Sequence, residues 1–313
     1  MTSPFHFPSL VWDWPIAIDL FLVSVSAGLV ALAVMARGWR GARAEASAVM
    51  RATLWLAPLT VMLGLLMLAL HLTRPWMFWK VSLHYNLSSV LSVRVLLFQL
   101  YLPLLLLWLA LWFTPALTGL LQRRLPGALR LSALLTRLQG LRRPLSILLL
   151  ILALLLGIYN GLLLSALKSY PMLNSPLLPA LFLCAALSCG VAVALLASLW
   201  LHGDDVAQEQ ARLRRIEAPL GGVLLALLLL FVLGLAQGDA AKQRALATLV
   251  DGGFWSWWLW LGVVGIGIIL PLMLRLVTRG SLRLRILLGS GITLCGLLLL
   301  HLFILYAGQL TVV

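Results

Sequence analysis

Charge is scarce in this sequence. Of 313 residues only 10% are Asp, Glu, Lys or Arg, while 63% are hydrophobic. A soluble domain is about half apolar and about a quarter charged, so too little polar surface is available here to coat a water-soluble globule. Acidic residues are scarcest, nine against 23 basic ones, for a net charge of +14. That excess does not indicate nucleic-acid binding, because the basic residues sit in short clusters between apolar runs and not on one polar face. Cysteine is also rare: Cys184, Cys189 and Cys295 contain no Cys-x-x-Cys pair, which argues against an iron–sulfur cluster held by this chain. All three fall in apolar runs and are expected to be buried small hydrophobes. The first thirteen residues carry no Lys or Arg, and no small-residue cleavage site follows a short apolar core. The first apolar segment is therefore expected to remain as an uncleaved anchor.

What is abundant is long uncharged sequence. Leu145 to Leu167 and Ile286 to Val313 each exceed the roughly 18 apolar residues that mark a membrane-spanning helix. The pattern predicts an all-α integral membrane protein with eight spans, near Trp14–Ala36, Ala52–Leu72, Ser89–Phe113, Leu145–Leu167, Leu177–Leu201, Ala218–Ala236, Phe254–Leu274 and Ile286–Ala307. The odd-numbered loops hold seventeen Lys and Arg, the even-numbered loops hold five, and Arg94 alone falls inside a span. The positive-inside rule then places the odd loops in the cytoplasm and both termini outside. Trp12, Trp14, Trp76, Trp79, Trp255, Trp257 and Trp258 crowd the expected outer ends, as interfacial belts do. A faint repeat pairs Tyr159-Asn160-Gly161 with Tyr306-Ala307-Gly308 and Ser26-Ala27-Gly28 with Ser188-Cys189-Gly190. One membrane domain built as two four-helix bundles, about 1–168 and 169–313, would account for both.

An ionisable side chain in hydrocarbon costs about 2.5–3.5 kcal/mol on insertion scales, so each one asks for a reason. Asp13 and Asp19 flank the start of the first span, and His71 closes the second. Arg94 enters the third at about the depth of Asp19. Tyr159 and Asn160 lie in the outer half of the fourth, with Lys168 just beyond. His301, Tyr306 and Gln309 occupy the outer part of the eighth. The inner halves read as mostly Leu, Val and Ala, which leaves no polar line for a channel or proton pump. Asp19 and Arg94 read equally well as a structural ion pair and as functional groups. His71 reads either as a helix-end cap or as part of a site, Asp13 as a cap of the first helix, and Tyr159 as an interfacial aromatic or a ligand.

The segments Trp12-Asp13-Trp14-Pro15-Ile16-Ala17-Ile18, His71-Leu72-Thr73-Arg74-Pro75-Trp76-Met77-Phe78-Trp79, Tyr159-Asn160-Gly161-Leu162-Leu163-Leu164-Ser165 and Leu178-Pro179-Ala180-Leu181-Phe182 occur in this order. Together with Ile304-Leu305-Tyr306-Ala307-Gly308-Gln309-Leu310, they resemble the NrfD/PsrC (polysulfide reductase membrane subunit) family. The likeness is strongest to its branch of formate-dependent nitrite reduction. It implies an eight-helix subunit of an oxidoreductase, without haem or iron–sulfur cluster of its own, whose substrate is a quinol such as menaquinol. Electrons would pass at the periplasmic face to a four-cluster iron–sulfur subunit, then through a multihaem cytochrome to nitrite reduction to ammonia.

Carried over by position, the resemblance makes Asp19 and Tyr159 the quinone-binding residues, with His71 beside them. An aspartate at the first of these positions departs from the aromatic or histidine often found in the family. Proton transfer would fall to Asp13, Asp19 and Arg94, while Arg74, Trp76, Trp79 and Lys168 would face the partner. Two other readings remain open. In a b-type cytochrome, His71 and His301 would ligate one haem. A multi-helix transporter would use the two halves around a midplane site.

Overall fold

The computed structural model describes residues 4–40, 47–71, 89–114, 119, 129–201, 206–277 and 281–312. Among them the elements are α1 (Trp14–Arg40), α2 (Ala48–His71), α3 (Val90–Trp112), α4 (Leu129–Arg137), α5 (Arg142–Ser165), α6 (Leu178–Ala197), α7 (Val206–Ala236), α8 (Ala240–Val250), α9 (Phe254–Trp257), α10 (Leu270–Val277) and α11 (Leu282–Gly308). A wider π-helical stretch, Trp258–Ile269, joins α9 to α10 in one continuous rod. Eight helical segments are long and apolar enough to cross a membrane, and the described residues form no strand. Helices are the expected solution, because hydrocarbon offers no partner to a backbone N–H or C=O left open. Their outward surfaces are apolar in turn: Trp55, Leu59, Met62, Leu66 and Leu70 form an exposed stripe at helical spacing along α2.

The expected spans agree with these helices, with two differences. α7 begins at Val206, about three turns before the expected Ala218, because its polar first part continues the same helix beyond the apolar core. The connection before α9 contains α8, capped by the Asp239 side chain accepting from the Lys242 amide at 3.0 Å. Its composition carries no strong apolar periodicity to announce it.

α1 lies at the centre, packed against α2, α5, α6 and α11. It crosses α6 at Gly28 and Gly190, where a Cβ on Gly28 would come within 1.9 Å of the Ala186 carbonyl oxygen. Small residues let membrane helices approach backbone to backbone, since burial of apolar surface drives little association in lipid. These two glycines belong to the paired motifs Ser26-Ala27-Gly28 and Ser188-Cys189-Gly190. A similar contact joins the π-helical stretch to α11 at Gly267 and Gly296. At the end of the bundle where both termini lie, the Gln309 side chain accepts from the Val11 and Trp12 amides at 2.9 Å and donates to the Trp12 carbonyl at 2.8 Å. The amino-terminal tail is thereby fixed over α11, with Phe5 packed edge-on against Trp255 and Tyr306.

A candidate quinol site at the terminal end of the bundle

The site begins with Asp19, on the second turn of α1 and wholly buried. Arg94, one turn into α3 and 1% exposed, donates from Nη2 to Asp19 Oδ2 at 2.5 Å. The matching depths expected from the sequence bring the two side chains together. Phe98, one turn further along α3, lies under the guanidinium at 5.4 Å, a distance at which its ring face attracts the cation. This arrangement leaves polar capacity over. Asp19 Oδ1 and Arg94 Nε and Nη1 are buried without a hydrogen-bond partner among the described residues. A carboxylate oxygen that accepts nothing and two unspent guanidinium donors form an acceptor–donor set for a polar ligand group.

Tyr159, on the same end of α5, donates its hydroxyl to the Val90 carbonyl at 2.5 Å. Val90 and Arg94 are four residues apart on α3 and share a face, so Tyr159 meets the strip of helix that holds the ion pair. The next residue, Asn160, points the other way. Its amide donates to the Leu20 carbonyl at 3.1 Å and to Ser24 Oγ at 3.2 Å, fixing the turn of α1 that carries Asp19. A fourth helix contributes by lacking a side chain: a Cβ on Gly64 of α2 would stand 3.0 Å from Asp19 Oδ1 and 3.2 Å from Val23 Cγ2. Only glycine leaves that oxygen its space.

Asp13 and His71 meet one level further out, with Oδ1 and Nδ1 3.0 Å apart and both side chains partly exposed. Asp13, expected as a cap for α1, instead joins the ends of α1 and α2, because α2 finishes beside it. Six residues separate it from Asp19, about 9 Å along the helix. Lys168 is exposed just past α5, at this same end. Arg74, Trp76 and Trp79 lie outside the described residues.

Several expectations need correction. His301 is wholly buried between the rings of Phe21 and Phe182, with Nδ1 2.7 Å from the Leu297 carbonyl and Nε2 3.2 Å from Ser24 Oγ. Both ring nitrogens are committed, which removes it as an axial haem ligand in this arrangement. Among the described residues no group of three or more His, Cys, Asp or Glu gathers as a metal-ligand set. Cys184 and Cys189 are buried, whereas Cys295 is exposed on α11. The helix ends remote from Asp19 are also richer in polar contacts than their Leu-rich sequence suggests. Glu209 of α7 is buried and accepts from the Ser47 hydroxyl and from the Ala48 and Val49 amides, at 3.0 and 3.2 Å for the latter two. It thus caps α2 at the end where the helix dipole favours a carboxylate. Glu217 pairs with Arg275 at 2.6 Å. Neither acid stands out in the sequence, because the partners of both are distant along it. Gly64 was missed as well, although a glycine inside an apolar helix is itself a signal of close approach.

Comparison with known proteins finds relatives along the whole chain. The family model described as Polysulphide reductase, NrfD matches residues 2–313. Protein NrfD of Escherichia coli is 50% identical over 314 residues, covering 99% of each chain. The Protein NrfD homolog of Haemophilus influenzae is 40% identical over 99% of this chain and 98% of its own. The C subunit of the polysulfide reductase of Wolinella succinogenes is 35% identical over 97% of this chain and 96% of its own. With eight helices able to span a bilayer, this chain is a multi-pass protein of the bacterial inner membrane and belongs to the NrfD family of polysulphide reductase membrane subunits.

Proposed function

We propose that the protein oxidises quinol, menaquinol being the expected form, at the end of the bundle marked by Asp19, Arg94 and Tyr159. It then passes the electrons to an iron–sulfur partner docked on that end. The observation that carries this reading is the buried Asp19–Arg94 pair with three polar atoms unspent, next to a tyrosine hydroxyl that can exchange a backbone carbonyl for a ligand oxygen. Each quinol yields quinone, two electrons and two protons. In the proposed complex the Tyr159 hydroxyl and the free Arg94 donors hold quinol oxygens, and Asp19 Oδ1 takes a proton. Asp13 and His71, about 9 Å further out along α1, offer the next acceptors on the way to water. Apolar helix faces supply the remaining contact for ring and tail.

In this reading both termini are periplasmic and the protein forms two four-helix halves, about 1–168 and 169–313. Arg74, Trp76, Trp79 and Lys168 face a four-cluster iron–sulfur subunit. A multihaem cytochrome and nitrite reduction to ammonia lie downstream, in keeping with the NrfD names of two relatives. Electrons that leave where the protons leave cross little of the membrane potential. The decisive assay is quinol-dependent reduction of the partner subunit by purified complex. Tyr159→Phe combined with Asp19→Asn is expected to abolish it in the complex that still assembles; turnover at the unaltered rate would remove both residues from the mechanism.

A further inference from the structure

The end of the bundle remote from Asp19 carries a crevice of a different kind. It lies between α6, α7, α10 and α11 as two adjoining narrow, partly open clefts that share Glu217, Pro271 and Arg275. The larger reaches inward and is lined mainly by apolar groups, including Leu224, Ile268 and Leu272. The smaller opens toward the helix ends between Arg214, Arg275 and Arg285. Arg275 is committed, donating to the Glu217 carboxylate at 2.6 Å and to the Arg214 carbonyl at 2.5 Å. Arg275 and Arg214 therefore share one carboxylate while Arg285 lies near Arg214, and neither Arg214 nor Arg285 has a carboxylate within ion-pair distance among the described residues.

We propose that this crevice binds one anionic phospholipid. Its phosphodiester would sit between Arg214 and Arg285, and the upper part of one acyl tail would lie along the apolar cleft beyond. Charge complementarity selects a net anion, because a zwitterionic headgroup would bring its own cation to the two guanidinium groups that its phosphodiester contacts. Guanidinium groups are suited to phosphate by their fork of donors. The contiguous apolar cavity selects a lipid over a free ion, since inorganic phosphate would leave it unused. Position agrees: basic pockets between helices at a membrane surface are a general mode of anionic headgroup recognition.

The test is native mass spectrometry of the purified full-length protein after exchange into nanodiscs of phosphatidylglycerol, of phosphatidylcholine, or of either with added inorganic phosphate. The expected result is one retained phosphatidylglycerol, no retained phosphatidylcholine, and no displacement by inorganic phosphate. Arg214→Gln with Arg285→Gln should weaken retention about thirtyfold, at about fivefold per arginine near an anionic headgroup. Arg215→Gln, which removes the same charge from an exposed neighbour, should leave retention unchanged. Gly221→Phe fills the apolar cavity without touching a charge and should also release the lipid; it decides the matter if the double variant fails to fold. Equal retention by Gly221→Phe or by the double variant, an equal loss in Arg215→Gln, or displacement by inorganic phosphate would each overturn the proposal. None of these readouts depends on quinol turnover.

Discussion

Removing one member of the Asp19–Arg94 pair strands the other inside the bundle. The two atoms are 2.5 Å apart, and the residues are 0% and 1% exposed, so neither charge can turn to water. Breaking a buried pair from one side costs about 3–5 kcal/mol, whereas replacing both partners by well-packed apolar groups is often close to neutral. Arg94→Met alone and Asp19→Leu alone are therefore each expected to lose about 3–5 kcal/mol. The double variant is expected to recover most of that loss. Equilibrium unfolding in mixed micelles, followed by far-ultraviolet circular dichroism, gives the stability cycle. Quinol oxidation by the same preparations gives the functional one. The two should part company: the double variant returns to stability but not to turnover, because it has lost both the acceptor oxygen and the unspent donors. Single variants within about 1 kcal/mol of wild type, the range of an exposed ion pair, would refute the burial argument. Turnover restored along with stability would show the pair to be structural only.

Three further outcomes follow from close contacts. Gly64→Ala brings a methyl to 3.0 Å from Asp19 Oδ1, so quinol oxidation should fall while helicity and assembly persist; full activity would show that this oxygen is not used. Gly28→Ala meets the Ala186 carbonyl at 1.9 Å and should lower stability by about 3 kcal/mol, in the range of overpacked cores, visible as a lowered midpoint in thermal unfolding; an unchanged midpoint would contradict the α1–α6 crossing. Glu209→Ala removes the acceptor for the first amides of α2 and should cost about 1–2 kcal/mol, with faster amide exchange confined to residues 48–50.

The spans were legible because hydrocarbon imposes a length and a composition, and the runs from Leu145 and Ile286 meet both. The ion pair was half legible. Asp19 and Arg94 sit at matching depths in their spans, which sequence shows, but whether they face each other depends on helix rotation, which sequence does not. The same rotation decides that Tyr159 reaches Val90 while Asn160 turns to α1. The Gly28–Gly190 crossing was written in the paired motifs but could not be told from chance until the helices met. Glu209 and Glu217 were missed for another reason. A hydropathy reading stops α7 where its charges begin, whereas the helix runs on and delivers both acids to partners at other helix ends.

The proposed mechanism turns on the location of the quinol. Membranes containing the protein, illuminated with a photoreactive quinone and digested, report that location directly. Label on the peptides of Asp19, of Val90 to Arg94 or of Tyr159, competed away by excess menaquinol, is the predicted result. Label confined to the crevice of Glu217 and Arg275 at the far end of the bundle would contradict it.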